Sequence, residues 1–436
     1  MKVFSLGGTS IPHRKHLTGS ASIRALPDPE EVVIPFHQHT GAPAQPLVEP
    51  GDRVKKGQVI GQAQARVSAA VHASISGRVE AVETRPTAQG DSLCVVVRAD
   101  GEANTAQKLD AGGAASREEI LEAVRQGGIV GLGGAAFPTH VKWDVPPAHP
   151  VDTVIINGAE CEPYLTVDHR LLVERSDKIV EGLSLALKAT GATRGVVAVE
   201  DNKPDAIEAV REQARERDDI DVVVLGTKYP QGAEKMLIEA VLGRQVPPRG
   251  LPFQVGVVVN NVGTVIAARD AAVEGRPLIR KVITVSGGGV KSPANLEVPI
   301  GLSVGSALEA AGGLKSESCR VILGGPMTGR AVDDLDSPIT KGVSGILALT
   351  PDEYRRQERQ PCIRCASCLD GCPMGLDPRL IVRHAEAGRV EESEEAFIED
   401  CIECGVCAFV CPAWIPLVAI IQQGKRALHE AKEGAL

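Results

Sequence analysis

The sequence predicts a multidomain α/β protein: a small all-β module, an α/β domain with a parallel sheet, a small α+β module and a cysteine-rich C-terminal domain. Three observations predict this division. Short strand patterns fill residues 30–100, alternating strand and helix patterns fill 115–280, and eight of the eleven cysteines lie within residues 362–411. The chain has 436 residues, of which 43% are apolar, enough for about two to four packed domains.

The first hundred residues divide into an irregular segment and a β-module. Residues 1–29 form an N-terminal extension without a regular pattern, interrupted by Pro12, Pro27 and Pro29. In residues 30–100, turn residues at 51–52 and 56–57 separate short apolar runs, which indicates a small all-β module. Residues 101–117 (GEANTAQKLDAGGAASR) are predicted to be a linker.

From residue 115 to 280, strand and helix patterns alternate, which predicts a largely parallel sheet covered on both faces. The predicted strands cover residues 129–130, 151–156, 195–199, 222–225 and 255–259. The predicted helices cover residues 118–126, 168–190, 233–242 and 264–274, and a further helix begins at Pro204. Residues 281–350 return to short strands around one helix at 304–311, and residues 355–436 carry the cysteine runs and a final helix.

Charge and hydropathy exclude two classes of protein. The net charge is −9 and there is no long basic run, so a nucleic-acid-binding protein is not expected. No stretch approaches the roughly 18 consecutive apolar residues of a membrane-spanning helix, and the N-terminus lacks the layout of a signal peptide. The sequence therefore predicts a soluble, cytoplasmic protein that could still dock on a membrane partner.

Eight cysteines form two copies of one spacing, C-x2-C-x2-C-x3-C-P, which is the run of bacterial ferredoxins. In such proteins the first three cysteines of each run bind one cluster, and the fourth binds the other cluster. The predicted ligands of one 4Fe–4S cluster are therefore Cys362, Cys365, Cys368 and Cys411. The predicted ligands of the second cluster are Cys401, Cys404, Cys407 and Cys372.

Structural zinc is the alternative occupant of these cysteine runs. Four-cysteine zinc sites use paired CxxC knuckles, whereas each run here has three cysteines at two-residue gaps and a fourth before proline. The spacing thus favours two adjacent clusters, which would carry electrons one at a time. The neighbours expected to form an apolar coat against solvent are Ile363, Ala366, Ile402, Val406 and Ala408.

A glycine-rich segment, GLGGAAFPTHVKW at residues 131–143, follows the predicted strand 129–130. Glycines let backbone N–H groups approach a phosphate or a flavin ring closely, and Lys142 could supply a positive charge. Taken alone, the segment could equally be an ordinary turn.

Three more polar loops follow predicted strands: NGAECEP at 157–163, YPQGAE at 229–234 and NN at 260–261. In an α/β sheet, ligands bind beyond the carboxyl ends of the strands, so four such loops at one rim predict a cofactor site. For Glu160 and Glu162, the alternative is that they are solvated loop carboxylates. Cys161 could contact the same site or be a small buried residue.

These motifs, together with NNVGT at 260–264, resemble in order the flavin- and NADH-binding motifs of the flavoprotein subunit of respiratory complex I. That flavoprotein ends in one cluster, whereas this chain has motifs for two clusters and an N-terminal β-module. The chain is therefore similar, over nearly its whole length, to the C subunit of the Rnf complex. The segments GGTSIPHRKHLT and GDRVKKGQVIG also resemble that subunit.

The resemblance implies a fold for each part. Residues 30–100 would be a barrel-sandwich module of lipoyl type, and residues 115–280 a Rossmann-like FMN- and NADH-binding domain. Residues 281–350 would be a β-grasp domain of SLBB type, and residues 355–436 a ferredoxin-like domain with two clusters.

The resemblance also implies site residues, though it assigns none a catalytic role. The residues implied to hold a non-covalent FMN are Gly131, Gly133, Gly134, Lys142, Asn157, Asn260 and Asn261. Phe137 would stack on the nicotinamide or adenine ring of NAD(H). The residues implied to line the nucleotide pocket are Glu160, Glu162 and Glu234. Ala136 and Ala159 depart from the complex I motif, which has glycine and a carboxylate at these positions.

The β-module resembles a lipoyl or biotinyl carrier domain, but a carrier needs a lysine at its hairpin tip. No lysine lies between Lys56 and Lys108, so carrier chemistry is not expected and a structural or docking role is.

The resemblance implies a peripheral subunit on the cytoplasmic side of the membrane, in a ferredoxin:NAD⁺ oxidoreductase complex coupled to Na⁺ or H⁺ translocation. Its expected partners are integral membrane subunits and the iron–sulfur subunit that accepts electrons from ferredoxin. A soluble NADH-dependent reductase of another carrier, such as a corrinoid, is one alternative. A non-catalytic electron relay with a degenerate flavin site is the other.

Overall fold

The computed structural model describes residues 2–88, 90–101, 106–110, 113–317, 319–354 and 357–434. Parts of the predicted linker 101–117, namely residues 102–105 and 111–112, lie outside the described residues.

The N-terminal extension contains more structure than the sequence predicts. A 3₁₀ turn spans Lys15–Leu17, and strand β1 spans Ile23–Ala25. Lys2 and Thr9 form isolated bridges with Leu225 and Tyr229 of the α/β domain. These pieces are too short to give a sequence pattern. They are held by distant partners and not by local preference.

In its described residues, 30–88 and 90–100, the β-module has two small sheets built from seven strands. The strands are β2 (Glu31–Pro35), β3 (Gln45–Pro46), β4 (Arg53–Val54), β5 (Val59–Gln62), β6 (Val71–His72), β7 (Gly77–Thr87) and β8 (Gly90–Ala99). One sheet has the order β2-β8-β7-β4 and the other the order β3-β5-β6. The apolar residues between them, such as Ile34, Ile60 and Val95, are fully buried.

The α/β domain follows, with its elements in alternation. Its helices are α1 (Arg117–Gln126), α2 (Thr139–Trp143), α3 (Val167–Glu174), α4 (Ser176–Thr190), α5 (Pro204–Ala214), α6 (Glu234–Leu242) and α7 (Val262–Glu274). Its strands are β9 (Thr153–Gly158), β10 (Arg194–Glu200), β11 (Ile220–Leu225) and β12 (Val257–Asn261), and a 3₁₀ turn spans Pro252–Val255. The sheet has the order β11-β10-β9-β12, and each neighbouring pair is parallel.

Two predicted elements of this domain differ in the structure. The helix predicted over 168–190 is two helices, because the backbone leaves the helical region at Arg175 (φ −138°, ψ 32°). The Arg175 side chain is paired there with Glu297 at 2.9 Å, in the neighbouring α+β module. The strand predicted at 129–130 is wrong: Val130 makes only an isolated bridge with Pro138, because the glycine-rich segment folds back on itself.

The α+β module adds five strands and one helix. These are β13 (Arg280–Ser286), β14 (Ala294–Pro299), α8 (Val304–Ala310), β15 (Arg320–Leu323), β16 (Arg330–Val332) and β17 (Gly345–Leu349). Its sheet has the order β1-β14-β13-β17-β15-β16, so the N-terminal extension supplies an edge strand.

The C-terminal domain is helical. It comprises α9 (Ser367–Asp370), α10 (Pro378–Glu386), α11 (Val390–Glu395), a 3₁₀ turn (Ile398–Asp400), α12 (Val406–Phe409) and α13 (Leu417–Gly434). Apolar residues of α10 and α13, including Ile381 and Ile421, form its core. Within the described parts of the chain, no helix is both long enough and apolar enough to cross a bilayer.

Candidate functional site

A large cavity lies at the carboxyl ends of β9 and β12, where the strand order of the parallel sheet reverses. From β9 the chain moves outward to β10 and β11, and then returns to β12 on the other side of β9. Such a reversal leaves a crevice that commonly binds ligands. The cavity has a volume of about 1110 Å³, slightly above the roughly 300–1,000 Å³ typical of ligand sites.

All four parts of the chain line this cavity. The α/β domain contributes the glycine-rich segment and the ends of β9 and β12. The β-module contributes Arg66 and Val67, the α+β module contributes Thr328 and Arg330, and the C-terminal domain contributes Cys404. All eleven residues implied for FMN and NAD(H) lie on its wall: Gly131, Gly133, Gly134, Phe137, Lys142, Asn157, Glu160, Glu162, Glu234, Asn260 and Asn261.

The last two residues of β12 carry a free donor into the cavity. The indole N–H of Trp143 donates to Asn260 Oδ1 at 3.1 Å, which fixes the side chain of Asn260. Its Nδ2 is buried without a partner, although buried amides are nearly always hydrogen-bonded. Asn261 Oδ1 instead accepts from the Gly263 N–H and caps α7. An acceptor-rich ligand would satisfy the Asn260 amide.

The glycine-rich segment is held against β12 and α7. The Leu132 N–H donates to Thr264 Oγ1 at 2.9 Å. A Cβ at Gly133 would lie 3.2 Å from Asn261 Cβ, so any side chain at this position would press against β12. Ala136 adopts a left-handed backbone with φ 49°, where glycine is preferred, and its methyl group is buried. The segment therefore exposes backbone at the cavity wall.

Lys142 and Glu234 were predicted in separate roles, but the structure pairs them. Lys142 Nζ lies 2.9 Å from Glu234 Oε1 and also donates to the Val259 carbonyl at 3.0 Å. This pair joins α2 to the start of α6 across the cavity. Asn157, at the end of β9, is similarly engaged, because its Nδ2 donates to the Gly232 carbonyl at 2.8 Å.

Glu160 is buried and Glu162 is half-buried, and both carboxylates are hydrogen-bonded to the protein, so the interpretation of both as solvated loop carboxylates is wrong. Glu160 Oε1 accepts from the Asp168 N–H at 2.9 Å at the start of α3, and Oε2 lies 3.7 Å from Lys15 Nζ. Glu162 accepts from the Met327 N–H at 3.1 Å and from the Thr328 hydroxyl. Burial raises the pKa of the Glu162 carboxyl. Both carboxylates thus join the cavity wall to other segments.

Two cavity residues were missed by the sequence predictions. Burial, and secondarily the charge of Glu160, raises the pKa of Asp168, while a 2.8 Å hydrogen bond from Asn261 Nδ2 opposes that shift. Tyr229 is buried, and its hydroxyl donates to the Cys404 carbonyl at 2.7 Å. Tyr229 lies in a polar loop, and the position of that loop after a strand could have indicated it. Asp168 lies in a helical pattern, which gave no such signal.

Cys161 also lines the cavity and is half-buried. Its Sγ accepts from the Gly232 N–H at 3.4 Å, and burial raises its pKa to about 12. The thiol is therefore neutral at physiological pH and holds the β9 loop beside the β11 loop.

The two cysteine runs lie against each other, and their environments differ. Cys404 and Ile402 line the cavity, whereas Cys362 and Cys365 are exposed. Ile363 was expected to shield a cluster but is 68% exposed, so that part of the predicted apolar coat is wrong. It points outward because its run forms the outer surface of the domain.

The fourth cysteine of each run lies near the other run. Burial, followed by the neighbouring thiols of Cys401, Cys404 and Cys372, raises the pKa of Cys407. Burial and the charge of Asp377, and then the nearby thiols of Cys411 and Cys365, raise the pKa of Cys368. The assignment of each fourth cysteine to the other cluster stays a prediction from the ferredoxin spacing.

Comparison with protein families and relatives follows the same division of the chain. Four family models match: the RnfC barrel sandwich hybrid domain over residues 4–102, the Nuo51 FMN-binding domain over 124–270, the SLBB domain over 282–331 and a 4Fe–4S dicluster domain over 361–416. These matches confirm the predicted fold class. They also favour iron–sulfur clusters over structural zinc in the cysteine runs.

Solved structures show a similar fold. The chain matches an NAD⁺-reducing NiFe hydrogenase in its air-oxidized state with a TM-score of 0.52 and 24% identity, covering 72% of this chain and 64% of that chain. A second match, to the hydrogenase in its H₂-reduced state, has a TM-score of 0.50 and 22% identity. At this identity the likeness concerns the fold alone.

Three relatives are similar over most of the chain. The C subunit of the proton-translocating ferredoxin:NAD(+) oxidoreductase complex of Clostridium ljungdahlii is 45% identical, covering 90% of this chain and 86% of that protein. The C subunit of the Na(+)-translocating complex of Acetobacterium woodii is 43% identical, with 97% and 96% covered. The C subunit of the ion-translocating oxidoreductase complex of Rhodobacter capsulatus is 41% identical, with 99% and 84% covered. The chain therefore belongs to the family of C subunits of ion-translocating ferredoxin:NAD⁺ oxidoreductase complexes, as its resemblance to the Rnf C subunit predicted.

Proposed function

We propose that this chain binds FMN and NAD(H) in the cavity and passes electrons through two 4Fe–4S clusters, as the C subunit of a ferredoxin:NAD⁺ oxidoreductase complex coupled to H⁺ or Na⁺ translocation. The observation that carries the proposal is the continuity of the cavity. The lining of this one cavity includes both the glycine-rich segment and Cys404 of the second cysteine run. When bound, FMN exchanges a hydride with nicotinamide and single electrons with clusters, which connects these two chemistries.

The residues of the cavity fit a flavin. The orphaned Asn260 amide offers a donor, and the segment at Gly131, Gly133 and Gly134 offers backbone to the ring or phosphate. Lys142, Asn157 and Asn261 complete the set proposed for FMN. Lys142 and Asn157 already have protein partners, so they would hold the wall in place as well as contact the cofactor.

The outer part of the cavity is proposed to bind NAD(H). Phe137 would supply a face for an aromatic ring, and Glu234 would lie near the nucleotide hydroxyls. Glu160 and Glu162 are hydrogen-bonded to the protein itself, so we propose that they shape the pocket. The volume of about 1110 Å³ leaves room for a nucleotide beside a flavin.

The grouping of the thiols supports cross-ligation of the two clusters. We assign the inner cluster to Cys401, Cys404, Cys407 and Cys372. We assign the outer cluster to Cys362, Cys365, Cys368 and Cys411. The cavity contact of Cys404 and the exposure of Cys362 and Cys365 support an order of flavin, inner cluster, outer cluster and partner.

The partner side is proposed to be the face of the outer cluster. Ile363 follows the proposed ligand Cys362 and is 68% exposed. Trp414 lies three residues after the proposed ligand Cys411 and is 47% exposed. The partners would be the integral membrane subunits of the complex and its ferredoxin-accepting iron–sulfur subunit. We propose that the chain lies peripherally, on the cytoplasmic side of the membrane.

We also propose the domain division stated from the sequence: an extension at 1–29, the barrel-sandwich module at 30–100, the FMN and NADH domain at 115–280, the SLBB-type domain at 281–350 and the two-cluster domain at 355–436. The corrinoid-reductase alternative is not favoured, because the matched relatives are complex subunits. The degenerate-relay alternative is not favoured either, because the Asn260 donor and glycine-rich wall suit a cofactor.

Anaerobic purification with assay of iron, sulfide and flavin tests the proposal. We expect about eight iron and eight sulfide per chain and one exchangeable FMN. We also expect the protein to catalyse the reduction of ferricyanide by NADH. Gly133→Val should lose flavin and NADH oxidation while the clusters remain, because its side chain would meet Asn261. Wild-type flavin content and activity in Gly133→Val would place the flavin elsewhere.

A further inference from the structure

We propose that the N-terminal β-module completes the nucleotide site: Thr40 fixes the glycine-rich segment, and Arg66 supplies the cation that meets the diphosphate of the dinucleotide. This inference rests on the proposed NAD(H) function. It gives a role to the β-module, which resembles carrier domains but lacks the lysine that a carrier needs for acylation.

The first step is the direct contact between the β-module and the glycine-rich segment. The Thr40 hydroxyl donates to the Ala135 carbonyl at 2.8 Å, and the Thr40 N–H donates to the Ala136 carbonyl at 3.2 Å. Ala136 is the residue held in the left-handed region with φ 49°. Because this conformation is unfavourable for a non-glycine residue, it needs outside support, and Thr40 provides one hydrogen bond to Ala136 and one to the preceding Ala135.

The second step is that the Thr40 loop and the Arg66 loop form one unit. The Ala42 N–H donates to the Val67 carbonyl at 3.0 Å, and the Ser68 hydroxyl donates to the Ala42 carbonyl at 2.9 Å. The Ala69 N–H donates to His39 Nε2 at 3.0 Å. A Cβ at Gly41 would lie 2.1 Å from the Val67 carbonyl oxygen, so the two loops are in close contact. Arg66 is therefore positioned relative to the same segment that Thr40 holds.

The third step is the availability of Arg66. Of the described cations on the cavity wall, Lys142 is paired with Glu234, Lys235 donates to the Pro247 carbonyl, and Arg330 donates to the Ala88 carbonyl. The guanidinium of Arg66 lies 3.8 Å from Asp144, beyond hydrogen-bonding distance, and 70% of its side chain is exposed.

Arg66 can turn toward a ligand at little cost to the protein. Asp144 is also held by Arg117 at 3.1 Å, so it would not be left unpaired. A guanidinium can donate two parallel hydrogen bonds to phosphate oxygens, which suits the diphosphate of a dinucleotide.

Arg66→Gln tests the cation, with Arg66→Lys as the conservative variant. Arg78→Gln is the matched control, since Arg78 lies on β7 of the same module and donates to the Gly51 carbonyl. The assays are NADH-dependent ferricyanide reduction, FMN content, and calorimetric binding of ADP-ribose, which has the diphosphate but no nicotinamide. We expect Arg66→Gln to raise the KM for NADH and the Kd for ADP-ribose about tenfold, with kcat and flavin content retained. Arg66→Lys should recover part of the affinity, and Arg78→Gln should match the wild type.

Reduced nicotinamide mononucleotide separates the diphosphate contact from a general effect, because it lacks the diphosphate linkage. Its KM should change much less than that of NADH in Arg66→Gln. Unchanged ADP-ribose affinity in Arg66→Gln would overturn the assignment of the cation. A wild-type protein that holds FMN but does not oxidise NADH would instead overturn the proposed function, so the two failures are distinguishable.

Thr40→Val and Thr40→Ser test the support of the glycine-rich segment. Valine keeps the shape but removes the hydroxyl donor to Ala135, whereas serine keeps it. FMN binding to flavin-depleted protein should be several-fold weaker in Thr40→Val and near normal in Thr40→Ser, with iron content unchanged in both. Wild-type FMN affinity in Thr40→Val would overturn the role of Thr40.

Discussion

Several ionisable side chains lie buried beside the cavity, and most of them are paired. Lys203 and Glu200 form a salt bridge of 2.7 Å with almost no exposure, and Lys15 lies 3.7 Å from Glu160. The half-buried carboxylate of Asp168 instead faces the like charge of Glu160 and accepts a hydrogen bond from the neutral Asn261 amide. Removing an ion from water beside a like charge is costly, so the charge of Asp168 opposes folding.

Replacing Asp168 with Asn should make stability less dependent on pH. The raised pKa of Asp168 means that the folded protein keeps a proton that the unfolded chain loses above the ordinary value of 3.8. Its contribution to stability therefore falls as pH rises from that value through the folded pKa. The stability of Asp168→Asn relative to wild type should increase across this range and then level off. Thermal melts of both flavin-depleted proteins between pH 4 and pH 8 measure it. A difference in melting temperature that stays constant with pH would contradict the shifted pKa.

Gly7 approaches the backbone of a cluster ligand so closely that no side chain fits. It has φ 58°, and an added Cβ would lie 2.5 Å from both the carbonyl carbon and oxygen of Cys372. The neighbouring Gly8 N–H donates to the Gly371 carbonyl at 2.9 Å. The N-terminal extension thus lies directly over the fourth cysteine of the first run.

Gly7→Ala should therefore damage the inner cluster while leaving the outer cluster bound. The methyl group must displace the Cys372 backbone, and this cysteine is proposed to ligate the inner cluster. Iron content and EPR spectra of the dithionite-reduced protein measure the loss. Gly191→Ala is the control, because Gly191 has a similar φ of 78° and an added Cβ would meet nothing within 4 Å. An equal loss of cluster in the two variants would show that backbone strain, and not the contact with Cys372, causes the loss.

Among the elements, the short helices α9 and α12 each contain the third cysteine of one run, and they pack on each other. A Cβ at Gly371 would lie 3.0 Å from Val406 Cγ1, which shows how closely the runs meet. This proximity brings each fourth cysteine to the other run. The exchange of the fourth cysteines between the two clusters remains a prediction from the spacing, because such exchange is a property of the ferredoxin run.

Cys372→Ala should remove or damage the cluster of Cys401, Cys404 and Cys407 and spare the cluster of its own run. Cys319→Ala, outside both runs, should retain both clusters. EPR of each reduced protein distinguishes the two signals. Loss of the outer cluster alone in Cys372→Ala would mean that the runs bind as independent sites.

The parallel sheet and its rim could be predicted from the sequence, whereas the partners of the rim residues could not. Buried strands such as β9 and β12 appear as apolar runs, and the polar residues after them indicate the ligand edge. The pairing of Lys142 with Glu234, the engagement of Glu162 with the loop at 327–328 and the break at Arg175 depend on contacts between distant segments. Local patterns carry no signal for such contacts. The bridge at Val130 was mistaken for a strand for the same reason.

In the whole molecule, modules that are separate in sequence meet at one cavity. The N-terminal extension pairs β1 with β14, bridges to the α/β domain and covers Cys372. The β-module and the α+β module close two further sides. The proposed nucleotide site is therefore lined by several modules, which explains why the glycine-rich segment alone gave an ambiguous prediction.

The arrangement of the cysteines across the molecule predicts that electrons pass the inner cluster before the outer one. Cys404 lines the cavity and is held by Tyr229, while Cys362 is exposed on the far run. Cys404→Ala should therefore slow reduction of the outer cluster by NADH, although dithionite should still reduce that cluster. In Cys362→Ala, NADH should still reduce the inner cluster at the wild-type rate.

Rapid freeze-quench EPR after mixing with NADH measures both variants, with flavin content as the control for an intact cavity. The two substitutions are matched, since each removes one thiolate from one run. If the outer cluster of Cys404→Ala is reduced by NADH as fast as in the wild type, electrons do not pass through the inner cluster. The outer cluster would then exchange electrons directly with the cavity, so the inner cluster would be dispensable. The exposure of Cys362 and Cys365 would need another explanation.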